Sequence, residues 1–194
     1  MKNATLSNVP VQETNSIIST YDKMHFELIR LVHETLFGLF VNPFDKLSAA
    51  GLKEGQEILE VGCGPGYFSI PAAEIAGDKG HVTSIDINPA AVEYLRKKIQ
   101  RLRAKNVEAV LADASATGLP DGSFDVAFLF GVVHAFPRLD DVLREMHRVL
   151  KPNGKLCIQS RRSADEIVET VKAEGMFQFQ KKDREVNVFV KVVK

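Results

Sequence analysis

The run Glu57-Ile58-Leu59-Glu60-Val61 leads directly into Gly62-Cys63-Gly64-Pro65-Gly66, and a helix-forming stretch follows. An apolar β-type segment, three glycines in five positions and a helix describe a strand that doubles back tightly. Glycine lacks a Cβ and enters positive φ at little cost, so the turn can press its backbone against a ligand. The helix it opens offers unpaired N–H groups and the positive end of its dipole. The glycines alone indicate a nucleotide-like molecule lying over the first strand.

Beyond the turn, strand and helix alternate. Gly80 to Asp86 is a β-branched run closed by an acid. Pro89 to Arg103 places Ala91, Val92, Leu95, Ile99 and Leu102 on one helical stripe, with Pro89 suited to the first turn. Val107 to Asp113 reads as a third strand, again ending in an acid. Ser123 to Phe130 is a continuous apolar run, as expected of a central strand covered on both faces. Leu139 to Leu150 is an amphipathic helix stopped at Lys151-Pro152-Asn153-Gly154, and Lys155 to Gln159 a fifth strand. Ser163-Ala164-Asp165-Glu166 is a capping box opening a helix to Ala173. Two last strands, Phe177–Lys181 and Val186–Val193, have no helix between them, so one must run antiparallel. The alternation predicts an α/β, doubly wound, mostly parallel seven-stranded sheet with helices on both faces and an antiparallel strand in the C-terminal hairpin.

The spacing of the glycines narrows the ligand. A dinucleotide-binding turn requires G-x-G-x-x-G, and counting from Gly62 the third position is Tyr67. No Lys-Ser or Lys-Thr pair follows to make a P-loop. Glu60, two residues before the first glycine, would repel phosphate if buried there; it suits an ammonium group or a bound water.

In this Glu60-x-Gly62-x-Gly64-x-Gly66 element the chain resembles the class I S-adenosylmethionine-dependent methyltransferases, whose fold is Rossmann-like. The resemblance covers residues 45–194 and is closest to the branch of small-molecule and quinone-precursor methyltransferases. Leu119-Pro120-Asp121-Gly122-Ser123-Phe124-Asp125 and Arg148-Val149-Leu150-Lys151-Pro152-Asn153-Gly154-Lys155-Leu156 extend it; many members have Pro-Gly-Gly where Pro-Asn-Gly stands here. Both stretches are scaffold turns. The resemblance implies that Gly62, Cys63, Gly64 and Gly66 approach the methionyl part of S-adenosylmethionine, with Glu60 near its amino group. It implies that Asp86 accepts the ribose hydroxyls, that Asp113 lies near the adenine amino group, and that Ile87 and Ala114 sandwich the adenine. Asp86 as a turn former and Asp113 as a cap would each be unremarkable alone; three acids at three successive strand ends are not.

Phe130-Gly131-Val132-Val133-His134-Ala135-Phe136 follows the fourth strand and is placed to border the methyl group. His134 is the candidate base or acceptor-orienting group, because imidazole titrates near neutrality. Many relatives carry His-His here, whereas Ala135 follows His134. A histidine packed beneath the cofactor or starting a helix is the competing reading. Residues 14–40 place apolar side chains at helical spacing. That stripe fits a helix or helix pair packed on the domain; the family resemblance implies that residues 1–44 form a helical lid over a 45–194 cofactor domain, with Tyr21 and His25 facing the acceptor. Arg161 and Arg162, past the fifth strand, could bind a carboxylate or phosphate on the substrate, or simply be solvated.

Composition excludes other classes. With 194 residues, 45% of them hydrophobic, the chain suits one ordinary domain. Twenty-five basic and twenty-five acidic residues create no field for general nucleic-acid binding. Cys63 and Cys157 lack metal-ligand spacing and fit a reducing compartment. No apolar run has transmembrane length and no signal-peptide core is visible, so a cytoplasmic protein is expected, monomer or homodimer. No Asn-Pro-Pro-Tyr element, Pro-Cys nucleophile or acidic metal cluster follows the fourth strand. A small-molecule acceptor remains, methylated on oxygen, nitrogen, sulfur or carbon. A noncatalytic S-adenosylmethionine-binding protein and a nicotinamide-dependent oxidoreductase are the alternatives.

Overall fold

The computed structural model describes residues 26–28, 31, 42–160 and 164–193. The elements run α1 (Pro43–Ala50), β1 (Glu57–Val61), α2 (Ser69–Ala76), β2 (His81–Asp86), α3 (Pro89–Leu102), β3 (Val107–Leu111), β4 (Phe124–Phe130), a 3₁₀ turn (Val133–Ala135), α4 (Leu139–Val149), β5 (Leu150–Gln159), α5 (Ala164–Ala173), β6 (Phe177–Asp183) and β7 (Val186–Lys191). They form one seven-stranded sheet in the order β3-β2-β1-β4-β5-β7-β6. Strands β3, β2, β1, β4 and β5 are mutually parallel, and β7 runs antiparallel between β5 and β6.

The central strands are apolar on both faces because helices cover both. Ile58, Val126, Phe128 and Cys157 pack with α1 and α2, while Leu59, Val61, Ala127 and Leu129 pack with α4 and α5. Such runs lose the alternation of a half-exposed strand. Helix α3 lies along β2 and β3; its start is set by Asn88, whose side chain accepts the Ala90 N–H, and by Pro89. The connections lead from β1 outward to β2 and β3 on one side, and from β4 to β5 on the other. The strand order reverses between β1 and β4, where sheets of this kind bind ligands beyond their carboxyl ends.

Three details differ from the sequence-based reading. Strand β3 ends at Leu111, so Asp113 lies beyond it in a bridge with Ala116. Strand β5 begins at Leu150, not Lys155: Leu150 already pairs with Phe124, and the Pro152-Asn153-Gly154 turn bulges out before pairing resumes at Lys155 with Val126. Asn153 takes a positive φ there. Helix α1 was not anticipated. Asn42 caps it, and it buries Leu47, Ala49 and Ala50 against the sheet, so a division at 44/45 falls in its first turn.

Of the N-terminal segment, residues 26–28 and 31 are described and are helical; Phe26 is buried, its ring 5.4 Å from that of Tyr94 on α3. Tyr21 and His25 lie outside the described residues, as do Arg161 and Arg162. Among the described residues no helix is long and apolar enough to cross a membrane.

Candidate functional site

The turn after β1 is held by its neighbour strand. Gly62 and Cys63 both donate to the Ile85 carbonyl, at 2.8 and 3.0 Å, and Gly66 N–H closes the turn on the Cys63 carbonyl at 2.9 Å. Gly62 has φ +78° and lies against Val132, which a Cβ would meet at 2.7 Å. Gly64 also has positive φ, but a Cβ there would meet nothing within 4 Å. Gly62 thus serves packing, whereas Gly64 keeps an outer backbone surface clear. The Cys63 side chain turns inward onto Val92, Leu95 and Ala109, and burial pushes its thiol well above the ordinary range.

Glu60 sits beneath the turn, 2% exposed. It pairs in register with Ser84 of β2, and its Oε2 accepts the hydroxyls of Ser84 at 2.6 Å and Ser69 at 2.5 Å. Burial raises its pKa to about 7; the two hydroxyls oppose the shift and the Asp86 charge adds to it. Asp86, closing β2, accepts Gly64 N–H on Oδ2 and Asn88 N–H on Oδ1, each at 2.9 Å. Burial raises its pKa too, against those backbone bonds. Two carboxyl groups that are reluctant to ionise side by side favour a cationic partner over a phosphate.

The other strand-end residues are more exposed. Ile87 is 70% exposed beside Asp86, and Leu111, paired in register with Asp86, is also exposed, while Ala114 is buried. Asp113 folds onto its own loop, accepting Ser115 N–H at 2.8 Å and Ser115 Oγ at 2.7 Å, bonds that hold its carboxyl below the ordinary range. The Phe130 ring packs against Phe68 and Phe128, with centroids at 5.2 and 4.9 Å, rather than standing free at the strand end. His134 is exposed on the 3₁₀ turn past β4. The structure therefore ties Asp86 to the glycine turn through Gly64 with Glu60 held beneath by Ser69 and Ser84, sets Ile87, Asp113 and Ala114 beyond the next strand ends, and leaves His134 on the β4 side.

Sequence reasoning missed the residues that hold this arrangement together. Ser84 could have been found by aligning β1 and β2 at their ends. Ser69 could not, because nothing local ties a helix-start serine to Glu60. It also missed Glu145 of α4, whose Oε1 accepts Thr117 N–H at 2.7 Å and the Thr117 hydroxyl at 2.6 Å while Arg148 donates to both of its oxygens, to Oε2 at 2.8 Å and to Oε1 at 2.6 Å. That buried carboxylate staples the segment following Asp113 to α4.

Residues 52–189 match the family model described as a methyltransferase domain. The chain belongs to the methyltransferase-domain family. Among curated relatives within reach of this methyltransferase domain, a demethylmenaquinone methyltransferase of Listeria welshimeri is 37% identical over 110 residues, covering 56% of this chain and 47% of the relative. A ubiquinone/menaquinone biosynthesis C-methyltransferase, UbiE, of Escherichia coli is 32% identical over 146 residues, 74% of this chain and 55% of the relative. The chain thus spans about half the length of the curated relatives it matches. A SAM-dependent methyltransferase of Aquifex aeolicus superposes with a TM-score of 0.70 at 26% identity, over 78% of this chain and 90% of that one. The [4+2]-cyclase SpnF superposes with a TM-score of 0.64 at 23% identity, over 70% and 55%, a likeness of fold.

Proposed function

We propose that this methyltransferase-domain protein binds S-adenosylmethionine and moves its methyl group to a small-molecule acceptor of the quinone-precursor class. The observation that carries the reading is the Asp86–Gly64 hydrogen bond with the buried Glu60 beside it at the strand-order reversal, acidic where a phosphate-binding turn would not be. The donor set fits the cofactor. Glu60 answers the amino group, the Gly62–Gly66 backbone lies along the methionyl part, Asp86 takes the ribose hydroxyls, and Ile87 and Ala114 border the adenine near Asp113. Cys63 takes part through its backbone, and Phe130 by shaping the floor from which the 131–136 segment departs.

S-adenosylmethionine supplies an electrophilic methyl group on a sulfonium; the chain's own task is to position and polarise. A quinol ring carbon becomes nucleophilic when its hydroxyl loses a proton. His134, exposed at the β4 edge, is the group assigned to take that proton or orient the hydroxyl. Tyr21 and His25 on the acceptor side, and Arg161 and Arg162 toward an anionic group, complete the proposal. The 1–44 segment serves as the lid, and the cytoplasm is the setting. The curated relatives support the acceptor class, one being a demethylmenaquinone methyltransferase and the other a ubiquinone/menaquinone biosynthesis C-methyltransferase.

The test is calorimetry with S-adenosylhomocysteine, followed by incubation with methyl-labelled S-adenosylmethionine and reduced demethylmenaquinone. Micromolar binding and label on the quinone ring carbon are expected. Absence of binding would overturn the cofactor assignment. Binding with label only on other acceptors would overturn the quinone class, and binding with no transfer to any acceptor would favour the noncatalytic alternative.

A further inference from the structure

Helix α3 grips the glycine turn from behind. Lys98 Nζ donates to the Gly66 carbonyl at 2.8 Å and to the Pro65 carbonyl at 3.2 Å. Leu95, three residues earlier and on the same helical face, fills the space beside Gly66, where a Cβ would meet its Cδ1 at 2.5 Å. At the other end of α3, Asn88 N–H donates to Asp86 Oδ1, and Asp86 Oδ2 accepts Gly64 N–H. The turn is thus bonded by an anion on an N–H and by a cation on two carbonyls, both tied to one helix. In a trans peptide, C=O and N–H point in opposite directions. Drawing the Gly66 carbonyl onto α3 therefore also sets the direction of the Tyr67 N–H.

We propose that Lys98 is a positioning residue for cofactor binding, holding the Pro65–Gly66 peptides in the orientation that receives the amino-acid end of S-adenosylmethionine. This deepens the cofactor reading and rests on it. The effect is local to that end, because the nucleoside end is held by Asp86 and the residues beyond β2 and β3. Lys98 lies close enough to favour ionisation of Glu60, so its charge acts on the same end of the ligand. Lys97, the next residue back and off the face that carries Leu95 and Lys98, is exposed and pairs with Glu93 at 2.6 Å. Lys97 is the internal control.

The experiment compares the full chain with its Lys98→Met, Lys98→Arg and Lys97→Met variants. Each is titrated by calorimetry at 25 °C with S-adenosylhomocysteine and with 5′-methylthioadenosine, which keeps the nucleoside and sulfur but has no amino-acid end. Thermal melting without ligand runs alongside. Lys98→Met is expected to weaken S-adenosylhomocysteine about tenfold and leave 5′-methylthioadenosine within twofold. Lys98→Arg should restore most of the loss, and Lys97→Met should match the wild type. Should Lys98→Met melt below 25 °C, Lys98→Gln replaces it under the same criterion. Equal S-adenosylhomocysteine affinity in wild type and variant, or a parallel loss for both probes, overturns the positioning role. Failure of the wild type to bind either probe overturns the cofactor reading itself.

Discussion

Asp86, at the carboxyl end of β2, reaches sideways to the turn that follows β1: its Oδ2 accepts the Gly64 N–H at 2.9 Å. The acid assigned to the ribose is therefore part of what shapes the turn. Asp86→Ala is expected to weaken S-adenosylhomocysteine at least tenfold and to cost about 1–2 kcal/mol of stability from the lost charge-assisted bonds. Calorimetry and urea unfolding measure the two effects separately.

Gly62 and Gly64 should fail differently. Gly62→Ala drives a Cβ into Val132 in addition to the strain of positive φ, and should destabilise the fold by about 2–4 kcal/mol. Gly64→Ala meets no neighbour and should cost about 1–2 kcal/mol from the backbone alone, yet lose cofactor affinity, because the new methyl stands on the outer surface of the turn. Melting temperatures and S-adenosylhomocysteine affinities of the pair separate packing from ligand approach.

Glu60 makes stability and binding respond oppositely to pH. Its pKa of about 7 lies above the ordinary 4.5, so folding takes up a proton between those values. The associated stability is complete below pH 4.5 and is lost as pH rises through 7, at about 1.4 kcal/mol per unit while only the folded form holds the proton. Glu60→Gln should remove this loss, as urea midpoints at pH 5 and 7.5 would record. The ligand's ammonium favours the ionised carboxylate, so S-adenosylhomocysteine should bind wild type more tightly as pH rises through 7.

Glu145 behaves in the reverse sense. The Arg148 hydrogen bonds, with those from Thr117, hold its carboxyl down to about 2. Its contribution is present above pH 4.5 and is lost as pH falls toward 2. Glu145→Ala leaves the buried Thr117 N–H without its partner and should cost about 2–3 kcal/mol, read from melting at pH 7, with a smaller difference from wild type at pH 3.

His134 is exposed, so His134→Ala should change stability by no more than about 0.5 kcal/mol. It should leave S-adenosylhomocysteine affinity within twofold and lower methyl transfer to the acceptor about 100-fold. Unchanged turnover would remove His134 from the reaction.

Much was legible from local pattern. The strand–turn–helix unit, the alternation, the start of α3 at Pro89 and the acid that closes β2 all follow from periodicities and turn chemistry within a few residues, while Ser163 of the capping box lies outside the described residues. The antiparallel closing strand followed from the missing crossover helix. What was missed was local as well: α1 is too short to show a periodic stripe, and the Pro152-Asn153-Gly154 turn was read as a break although Leu150 before it already pairs with β4.

By itself, the chain of residues determined which segments are strands and helices and where the backbone must bend, because φ, ψ preference and hydrophobic period are short-range properties. Only tertiary structure decided that Ser69 and Ser84 meet on Glu60, that Val132 forbids a side chain at Gly62, and that Lys98 rather than Lys97 faces the turn. Those contacts join residues between 9 and 70 positions apart, and they exist only once strand register and helix packing have brought distant side chains within a few ångströms.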